Sequence, residues 1–434
     1  MKRIVWLLLS YWRTRRLRFT SRAQLDAYQQ GQLARFIATL CQRSAYFAPY
    51  RKLPLAQWPT MNKALMLEHF DAMNTEGVTL AQAMDAAMAA EQSRDFTPAV
   101  GDITVGLSSG TSSRRAVFTV SPREKAQWAG VMLAKALPDG LFSGEKVALF
   151  LRANSNLYTA VRSPWLTFAF YDLFEPFDSL CARLAQYQPS VIVAPAQVLR
   201  QLALRVLDGS LALASKKVIS VAEVLEAQDR ALIVQAFGAV HEIYQATEGF
   251  LASSCEHGVL HLNEEYVHVE PQWLDAEQRR FVPVITDFTR ITQPIVRYRL
   301  DDILIARATP CPCGRATRSL DGIEGRCDDM LLLPSLPPAH GGAPVAVFAD
   351  VLTRAFAQAL PPDADYRLVQ DGAAALQLHA ALDAAGLAAL RAHLATVLRG
   401  LDVDADSLAW TTSGDLPPFD PTMKRRRIRR LATA

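Results

Sequence analysis

Hydrophobic positions along the chain change their spacing twice. Residues 21–95 are rich in Ala, Gln and Leu and contain few strand-like runs, which is typical of helices. From Ile103 onward, short apolar runs alternate with helix-like segments, and after Gly325 the pattern changes again through a Pro- and Gly-rich segment, 334–343. We therefore predict a helical N-terminal part, an α/β core and a small C-terminal domain, at residues 1–95, 96–327 and 328–434.

In the middle segment, short apolar runs predict β-strands. The predicted strands are Lys146–Leu151, Ser190–Ala194, Lys217–Ser220 and Val240–Tyr244. Helix-like segments follow two of them, at Gln197–Leu207 and Ala222–Ala227. Strands that alternate with helices are typical of an α/β sheet whose strand ends present loops to a ligand.

The C-terminal segment mixes both periodicities. Its pattern predicts a helix, two strands, an Ala/Leu-rich helix and a last strand, at about 346–360, 366–370, 375–380, 383–399 and 407–412. These elements form a compact α+β unit of roughly 100 residues, which is large enough to be a separate domain.

Charge is distributed unevenly over the 434 residues. The formal net charge is +3, but thirteen basic residues at the two ends leave a body of net charge −10. They are Lys2, Arg3, Arg13, Arg15, Arg16, Arg18, Arg22, Lys424, Arg425, Arg426, Arg427, Arg429 and Arg430. Such ends are either solvated tails, which we favour, or surfaces for acidic lipid, nucleic acid or an acidic carrier protein.

The N-terminus carries an apolar run, Ile4–Leu9, between basic residues. The run is much shorter than the ~20 residues that span a bilayer, and Tyr11-Trp12-Arg13 after it is not a signal-peptidase site. The six cysteines have no even spacing, so a reducing compartment is expected. We predict a cytoplasmic protein whose Arg-rich amphipathic first helix is able to contact the inner face of a membrane.

One loop has the composition of a phosphate site: Thr104-Val-Gly-Leu-Ser-Ser-Gly-Thr-Ser-Ser-Arg-Arg115. Small hydroxyl residues around Gly110 leave backbone N–H groups free to surround a phosphate, and the two arginines balance its charge. The loop is not the nucleotide-kinase type, because G-x-x-x-x-G-K-[ST] is absent. Taken alone, a Ser/Gly/Thr cluster is more often an ordinary loop.

Four further motifs follow this loop in order: Tyr244-Gln-Ala-Thr-Glu-Gly249, Arg297-Tyr-Arg-Leu-Asp-Asp-Ile303, Gly325-Arg-Cys-Asp-Asp-Met330 and Pro421-Thr-Met-Lys424. Together the five motifs resemble those of the adenylate-forming superfamily. Cys311-Pro-Cys-Gly-Arg315 resembles the branch that contains phenylacetate–CoA ligases and coenzyme F-390 synthetases. The resemblance implies an α/β fold with a large N-terminal adenylate-forming domain of mixed sheets and helices and a small, mobile α+β C-terminal domain.

The resemblance also implies roles in acyl-adenylate formation from ATP. The phosphate-binding residues would be Ser108, Ser109, Gly110, Thr111, Ser112 and Arg114. Thr247 would donate to the α-phosphate, Glu248 would hold Mg²⁺, which prefers oxygen ligands, and Tyr244 would offer a flat face to adenine. Asp302 would accept from the ribose hydroxyls, and Lys424 would bridge the carboxylate and the α-phosphate.

Two further residues belong to the hinge between the domains. Asp328 would be the pivot about which the small domain rotates, and Arg326 would contact ribose or phosphate; a surface ion pair is an equal alternative for Arg326. The sequence departs from the family pattern at Ser113, Arg114, Gln245 and Leu300-Asp301. These departures leave open an acid or acceptor other than phenylacetate and CoA, or an inactive member.

Cysteine and histidine residues form a second constellation. Three thiolates and one imidazole suit a closed tetrahedral Zn²⁺ site, and similar enzymes of this branch use such clusters structurally. The favoured ligands are Cys255, His261, Cys311 and Cys313, with His257 as the alternative ligand. Free buried thiols are the competing interpretation.

The sequence does not name the acid. An aromatic acid is favoured by the resemblance, and Trp165, Phe168, Phe170 and Tyr171 are candidates to line its pocket, although such residues are more often core. The acceptor would be CoA or the phosphopantetheine arm of an acyl carrier protein. Alternatives are AMP transfer to a phenolic hydroxyl, as in coenzyme F-390 synthetase, and a non-catalytic nucleotide-binding protein; nucleic-acid binding is disfavoured because aromatic residues do not interleave the basic C-terminal run.

Overall fold

The computed structural model describes residues 2–93, 97–107, 117–151, 166–336, 343–420 and 424–431. The N-terminal part is helical, as the composition of residues 21–95 predicts. Its helices are α1 (Lys2–Arg16), α2 (Arg22–Arg43), α3 (Lys63–Glu68), α4 (Phe70–Met73) and α5 (Leu80–Ser93). Ser21 caps α2, since its side chain accepts from the backbone N–H of Gln24. No helix in the described ranges is long and apolar enough to cross a membrane.

A small antiparallel sheet and one long helix precede the main sheet. The small sheet consists of β1 (Ala99–Val100), β2 (Ile103–Leu107) and β3 (Val117–Val120). The helix is α6 (Pro122–Ala136), which begins with Pro at its first position and a capping box between Ser121 and Glu124. In the predicted phosphate loop, residues 104–107 belong to strand β2, and residues 108–115 lie outside the described residues.

The main sheet begins with parallel strands, as the alternation of strands and helices predicts. The strands β4 (Glu145–Leu151), β5 (Leu166–Asp172), β6 (Val191–Pro195), β7 (Lys217–Val221) and β8 (His241–Ala246) lie in the order β5-β4-β6-β7-β8. The helices between them are α7 (Phe177–Tyr187), α8 (Ala196–Leu207) and α9 (Ala227–Phe237).

The helix predicted over Ala222–Ala227 is wrong, because helix α9 only begins at Ala227. Ala222 adopts a left-handed backbone conformation with φ of 66°, which is incompatible with a continuing right-handed helix. The side chain of Glu223 accepts from the backbone N–H of Gln197 at 3.1 Å. This segment is therefore a turn that faces the start of α8.

Antiparallel strands extend the same sheet on the far side of β8. They are β9 (Gly249–Ser254), β10 (Leu260–Leu262), β11 (Val267–Trp273), β12 (Arg280–Asp287), β13 (Ile295–Arg299), β14 (Asp302–Ala306) and β15 (Ser319–Arg326). The order continues β8-β9-β10-β15-β14-β12-β11, with β13 paired to β12, so that the described strands form a twelve-stranded mixed sheet.

Alternating residues of the parallel strands fill two cores, one on each face of the sheet. In β4, Val147 and Leu149 pack with α1 and α6, whereas Ala148 and Phe150 pack with α7, α8 and α9. Helix α1 approaches α6 closely at Gly130, where an added Cβ would lie 2.3 Å from the carbonyl oxygen of Leu7. This contact explains the glycine and fixes α1 to the body of the protein.

The C-terminal region has its own hydrophobic core, formed by residues between Leu331 and Ile428. Its elements are β16 (Leu331–Leu333), β17 (Val345–Val347), α10 (Ala349–Ala359), β18 (Tyr366–Gln370), β19 (Ala375–Ala380), α11 (Ala384–Arg399), β20 (Ala409–Ser413) and β21 (Ile428–Arg430). Four strands form a sheet in the order β20-β19-β18-β21. The predicted α/β fold with a smaller α+β C-terminal region is confirmed, while β16, β17 and β21 escaped the sequence pattern.

Candidate active site

A large cavity of about 1430 Å³ opens at the carboxyl ends of the parallel strands. Its lining includes Leu151 at the end of β4, Pro195 at the end of β6, Ala222 after β7 and Tyr244 in β8. Ligands of open α/β sheets bind at this edge, because loops there leave space and free backbone groups. The cavity therefore occupies the place at which the fold is expected to bind a ligand.

Six residues that the sequence motifs single out line this one cavity: Tyr244, Thr247, Glu248, Asp302, Arg326 and Lys424. The first and last of them are 180 positions apart in the chain. The predicted phosphate-binding residues at 108–114 lie outside the described residues. Asp328 belongs to a short 3₁₀ turn, Cys327–Asp329, which immediately precedes the C-terminal region.

Tyr244 and Asp302 form the floor of the site. The hydroxyl of the buried Tyr244 donates to Oδ2 of Asp302 at 2.5 Å, joining the end of β8 to the start of β14. Burial raises the pKa of the Asp302 carboxyl above its usual value, although the hydrogen bond from Tyr244 and the guanidinium of Arg326 oppose this shift. The hydrogen bond from Tyr244 thus holds the Asp302 carboxylate in place at the cavity.

Glu248 lies on the turn between β8 and β9 and accepts a hydrogen bond from the hydroxyl of Tyr298. Burial raises the pKa of the Glu248 carboxyl. A hydrogen bond stabilises this turn, since Arg290 donates to the carbonyl oxygen of Thr247 at 2.6 Å. Gly249 follows directly, and a Cβ there would lie in tight contact, 3.0 Å, with Oδ2 of Asp287.

Cations surround these carboxylates. Lys424 reaches the cavity from the C-terminal region, and its charge also lowers the pKa of Asp302. Arg326 donates to Oδ2 of Asp301 at 3.0 Å. Lys63 lines the same cavity, where burial and the charge of Arg326 lower its pKa. A site with this many cations is suited to an anionic ligand such as a nucleotide phosphate.

Lys63 and Arg290 are site residues that sequence reasoning missed. Neither belongs to one of the five motifs, and each lies in a segment without a distinctive pattern. Only the packing of α3 and of the loop before β13 against the cavity brings them there. Their sole sequence signal is a basic residue close to a motif or to an element end, which is too common to be informative.

The aromatic wall of the cavity is not the predicted one. Phe168, Phe170 and Tyr171 are not among the described residues that line it, because they belong to β5, which is the parallel strand farthest from β8. Tyr171 instead stacks on Phe150, with ring centroids 4.6 Å apart. Trp165 lies outside the described residues. Among the described residues, the aromatic ones that line the cavity are Trp6, Tyr28, Phe36, Phe118, Trp128, Phe250, Tyr266, Phe288 and Tyr298, in addition to Tyr244.

Gln245, which stands where the family pattern has Gly, also faces this cavity. Its Oε1 accepts from Nε1 of Trp128 at 3.1 Å, so that a polar pair is fixed between α6 and the end of β8. The pair narrows the space beside Tyr244 compared with what a glycine would leave. The departure from the motif therefore falls on the wall of the cavity rather than among the charged groups.

A separate cluster lies at the other end of β9. The ligand atoms of Cys255, His261, Cys311 and Cys313 all lie within 4.8 Å of one another. The Sγ atoms of Cys255 and Cys311 are 3.7 Å apart, and Sγ of Cys313 is 3.4 Å from Nε2 of His261. The exposed His257, the alternative ligand, is not one of the four.

The donor set and its dimensions fit a tetrahedral Zn²⁺ ion. Zn–S bonds near 2.3 Å and Zn–N bonds near 2.0 Å place sulfur ligands roughly 3.8 Å apart and a sulfur roughly 3.5 Å from a nitrogen. Nδ1 of His261 lies 3.2 Å from the carbonyl oxygen of Thr317, which favours the tautomer that leaves Nε2 free as a ligand.

The fold was compared with those of solved structures. A 2-hydroxyisobutyryl-CoA ligase, solved in the postadenylation state with 2-HIB-AMP, matches with a TM-score of 0.63 at 17% identity, over 96% of this chain and 91% of that one. The same ligase in the thioesterification state gives a TM-score of 0.55, with 18% identity over 97% of this chain and 92% of that one.

Two other enzymes match over a smaller part. The anthranilate CoA ligase AuaEII, in complex with anthranoyl-AMP, has a TM-score of 0.52 at 13% identity, over 74% of this chain and 65% of that one. The amide bond synthetase McbA from Marinactinospora thermotolerans has a TM-score of 0.52 at 14% identity, over 75% and 67% of the two chains. No protein-family model and no curated protein matches the sequence.

This chain has the adenylate-forming fold. In this chain, residues from four of the sequence motifs line the cavity at the carboxyl ends of the parallel strands. One of these residues, Lys424, comes from the C-terminal region.

Ion pairs in the structure change the interpretation of the basic C-terminus. The sequence suggests a solvated tail or a surface for an acidic partner, but Arg425 and Arg427 are engaged in ion pairs inside the protein. Strand β21 then continues into the small sheet beside β18. The amino-acid composition gives the number of these charges, but it does not show that acidic residues elsewhere in the protein pair with them.

Proposed function

We propose that this protein uses ATP to activate a carboxylic acid as an acyl-adenylate and then transfers the acyl group to a thiol. The observation that carries the proposal is the convergence of Glu248, Asp302 and Lys424 on one cavity. A nucleotide-binding module has use for the first two groups. A binding module has little need for a lysine brought to them from the C-terminal region, whereas adenylation uses a cation where charge develops during the reaction.

In the adenylation step, a carboxylate oxygen of the acid attacks the α-phosphorus of ATP. The bond from this phosphorus to the bridging oxygen breaks, and pyrophosphate leaves. Negative charge builds up on the phosphate oxygens, so fixed donors and cations lower the barrier. Lys424 bridges the carboxylate and the α-phosphate, Thr247 donates to the α-phosphate, and Arg326 contacts ribose or phosphate.

We propose the remaining nucleotide contacts from the sequence motifs. Asp302 accepts from the ribose hydroxyls, while Tyr244 presents its ring to adenine. The phosphate-binding residues of the loop before β3 are proposed to be Ser108, Ser109, Gly110, Thr111, Ser112 and Arg114. Glu248 would hold Mg²⁺, a hard cation that prefers carboxylate and phosphate oxygens and supplies neutralising charge to the phosphates.

The second step requires a different arrangement of the C-terminal region. We propose that residues 328–434 rotate as a small domain about Asp328, so that a thiol reaches the acyl-adenylate. The sulfur of CoA or of a phosphopantetheine arm attacks the acyl carbon, the bond from this carbon to the phosphate oxygen breaks, and AMP leaves. The ligases with similar folds are named for CoA, which makes CoA the first acceptor to test.

The aromatic wall supports an aromatic acid as substrate. Trp128, Phe250 and Phe288 offer flat apolar surfaces at the cavity, and ring contacts of this kind favour aromatic ligands. The polar pair of Gln245 and Trp128 lines the same cavity. A benzoic or phenylacetic acid therefore fits this proposal better than a long-chain fatty acid.

The proposal is tested by incubating the protein with ATP, Mg²⁺ and an acid, with and without CoA, and analysing the products by mass spectrometry. Acyl-AMP and pyrophosphate without CoA, followed by a thioester and AMP with CoA, are the expected result. Thioester formation with a carrier protein that bears a free phosphopantetheine arm, but not with CoA, would change only the acceptor in this proposal. An AMP–phenol product without acyl-AMP would instead establish the alternative reaction and contradict the proposal.

We also propose that Cys255, His261, Cys311 and Cys313 hold a structural Zn²⁺ ion. Four protein ligands leave no open position on the metal, so the ion would stabilise the fold around β9 and β10 rather than take part in chemistry. The cluster joins two separate stretches of the chain, 255–261 and 311–313, and a metal there crosslinks them as a disulfide would.

Replacing Cys311 with Ser is expected to lower the zinc content from about one ion per chain to near zero. We expect Tm to fall by roughly 5 °C or more, which corresponds to about 2 kcal/mol for a domain of this size. Metal content is measured by mass spectrometry on protein produced with added zinc. Cys181→Ser is the matched control, because Cys181 is also a buried free thiol but lies outside the cluster; wild-type protein without zinc would contradict the assignment.

A further inference from the structure

The four residues from Lys424 to Arg427 connect the cavity to the small C-terminal sheet. Lys424 is exposed at the cavity, whereas Arg427 is only 1% exposed and Arg425 is largely buried. Directly after them, Ile428 begins β21 beside β18. The backbone that carries Lys424 is therefore set by the contacts of the two arginines that follow it.

Both arginines pair with one carboxylate of the large domain, that of Asp229 in the first turn of α9. Arg427 donates from Nη2 to Oδ1 at 2.9 Å and from Nη1 to Oδ2 at 3.2 Å. Arg425 donates to Oδ2. Asp229 is completely buried, so water does not screen these ion pairs, and no sequence motif includes it.

Further charged residues surround these pairs. Arg200 lies 3.5 Å from Asp229, Arg427 also donates to Glu226, and its Nε donates to Asp365 at 2.7 Å. We call these six residues the Asp229 cluster: Arg200, Glu226, Asp229, Asp365, Arg425 and Arg427. Burial alone would raise the pKa of Asp365, but Arg427 and Arg425 hold it well below its usual range.

The Asp229 cluster spans the boundary between the large and small domains. Asp229, Glu226 and Arg200 belong to the large domain, whereas Asp365, Arg425 and Arg427 belong to the C-terminal region. A rotation of the small domain must break the pairs between them and expose buried charges, which is costly. The cluster therefore stabilises the arrangement in which Lys424 is at the cavity.

We infer that Asp229 is a positioning residue for adenylation, which holds Lys424 at the reacting groups by fixing Arg425 and Arg427. This inference rests on the proposed function, since it assigns Asp229 to the adenylation step and not to acyl transfer. A lysine side chain has four rotatable bonds, so its reach is useful only if its backbone is held. Asp229 itself does not touch the substrates.

The test is the effect of Asp229→Asn on acid-dependent exchange of pyrophosphate into ATP. We expect kcat to fall about 10- to 100-fold, with the KM for ATP changed less than about twofold, because misplacing one catalytic group costs this much. In a Lys424→Ala background the same substitution should have no further effect, since Asp229 acts through Lys424. Acyl transfer to CoA from chemically supplied acyl-adenylate should be at least as fast as in the wild type, because the substitution weakens the pairs that oppose rotation of the small domain.

Two further variants keep the test decisive. Arg425→Gln leaves Asp229 paired with Arg427 and Arg200, so it should fold even where Asp229→Asn does not, and its exchange should also be lowered. Glu145→Gln is the matched control, because Glu145 is a buried carboxylate that pairs with Lys216 at 3.3 Å, at the opposite ends of the parallel strands.

The outcomes separate this inference from the function on which it rests. No exchange by the wild-type protein with any acid removes the proposed function and this inference together. Exchange by the wild type that stays unchanged in Asp229→Asn and Arg425→Gln overturns the inference alone. An equal loss in both half-reactions, or the same loss in the Lys424→Ala background, would show a general structural role and overturn it as well.

A different observation concerns the outer face of α1. The inner face of this helix is fixed to the body through Leu7 and Tyr11, whose hydroxyl accepts from the backbone N–H of Leu141 at 3.0 Å. The outer face leaves four apolar side chains between 45% and 64% exposed: Ile4, Val5, Leu9 and Trp12. Single exposed apolar residues are ordinary, but a row of them on one helix is a mark of an interaction surface.

Basic residues accompany this row, and α1 contains no acidic residue. They are Lys2, Arg3, Arg13, Arg15 and Arg16. A helix with exposed aliphatic and aromatic residues among arginines matches the interface of an anionic bilayer, where the apolar groups enter the headgroup boundary and the cations meet lipid phosphates. We propose that α1 docks this protein on an anionic membrane surface.

Co-sedimentation with vesicles tests the docking surface. The protein should bind vesicles of phosphatidylcholine with phosphatidylserine, bind less to phosphatidylcholine alone, and lose binding about tenfold or more on Leu9→Asp. Leu207→Asp is the matched control, because Leu207 is an exposed apolar residue at the end of α8. No binding to the anionic vesicles, as expected for an acidic protein partner, or binding that Leu9→Asp leaves unchanged, would overturn the proposal.

Discussion

Replacing Lys424 with Ala is expected to lower the kcat of adenylation by about 10²- to 10³-fold and to leave the KM for ATP nearly unchanged. Lys424 lies exposed at the cavity mouth, so the substitution removes charge without creating a buried cavity. Its ammonium group is proposed to act on the charge that develops at the α-phosphate, which is absent from bound ATP and acid. An interaction of this kind appears in kcat and not in binding.

Arg429→Ala is the matched control for Lys424. Arg429 is an exposed basic residue of β21, five positions later in the chain, so its loss changes the net charge equally without touching the cavity. Steady-state exchange kinetics should separate the two variants by at least a factor of about 100. If Lys424→Ala retained the wild-type kcat, the assignment of this lysine would be wrong.

Replacing Asp302 with Ala is expected to raise the KM for ATP by about 10²-fold. Two hydrogen bonds from ribose hydroxyls to an ionised carboxylate contribute about 1.5 kcal/mol or more each, which together correspond to this factor. The cost appears in binding, because the ribose is held equally in the ground state and the transition state. Isothermal titration with ATP, or with a non-hydrolysable analogue, measures it directly.

The pH dependence of ATP binding gives a second view of Asp302. Only its ionised form accepts from both hydroxyls, so affinity is full above its pKa and declines as the pH falls through it. Burial raises this pKa, and the decline should therefore begin at a higher pH than for an exposed aspartate. Tyr244→Phe keeps the flat ring but removes the hydroxyl that stabilises the carboxylate, so it should move the decline to still higher pH.

Two results would contradict this role of Asp302. One is an Asp302→Ala variant that binds ATP as tightly as the wild type. The other is a Tyr244→Phe variant whose decline in affinity moves to lower pH, which would mean that the hydroxyl stabilises the protonated carboxyl instead.

The local pattern of apolar and polar residues predicts much of the fold. The strands at 366–370 and 375–380 have the predicted bounds because apolar residues alternate with polar ones there. The turn at Ala222 has no such signal: its residues are good helix formers, and only the contact of Glu223 with Gln197 reveals the turn. Short strands such as β21 also escape, because three residues do not establish a period.

The candidate site also contains residues that the sequence predicts and residues that it does not. Tyr244, Glu248, Asp302 and Lys424 stand out because each belongs to a motif, and the structure brings them to one cavity. Asp229 does not stand out, since one acid in a helix resembles any surface charge. Its importance follows from complete burial and from partners about 200 positions away. Such pairings depend on tertiary packing and not on local sequence.

The aromatic residues of β5 show that local sequence does not determine which strand borders the cavity. The apolar strand β5 contains Phe168, Phe170 and Tyr171, which the sequence analysis considers as candidates to line a pocket because they are aromatic. Which strand borders the cavity depends on the order of strands in the sheet, and β5 occupies the edge. Strand order is a global property that hydrophobic periodicity does not contain.

Acid-dependent exchange of pyrophosphate into ATP tests most directly whether this protein adenylates a carboxylic acid. The panel should contain benzoic, hydroxybenzoic, phenylacetic and fatty acids, with Lys424→Ala and Glu248→Ala measured beside the wild type. We predict exchange with one class of aromatic acid, lost in both variants. No exchange with any acid by a protein that binds ATP would contradict adenylation and leave a phenolic acceptor or a nucleotide-binding role.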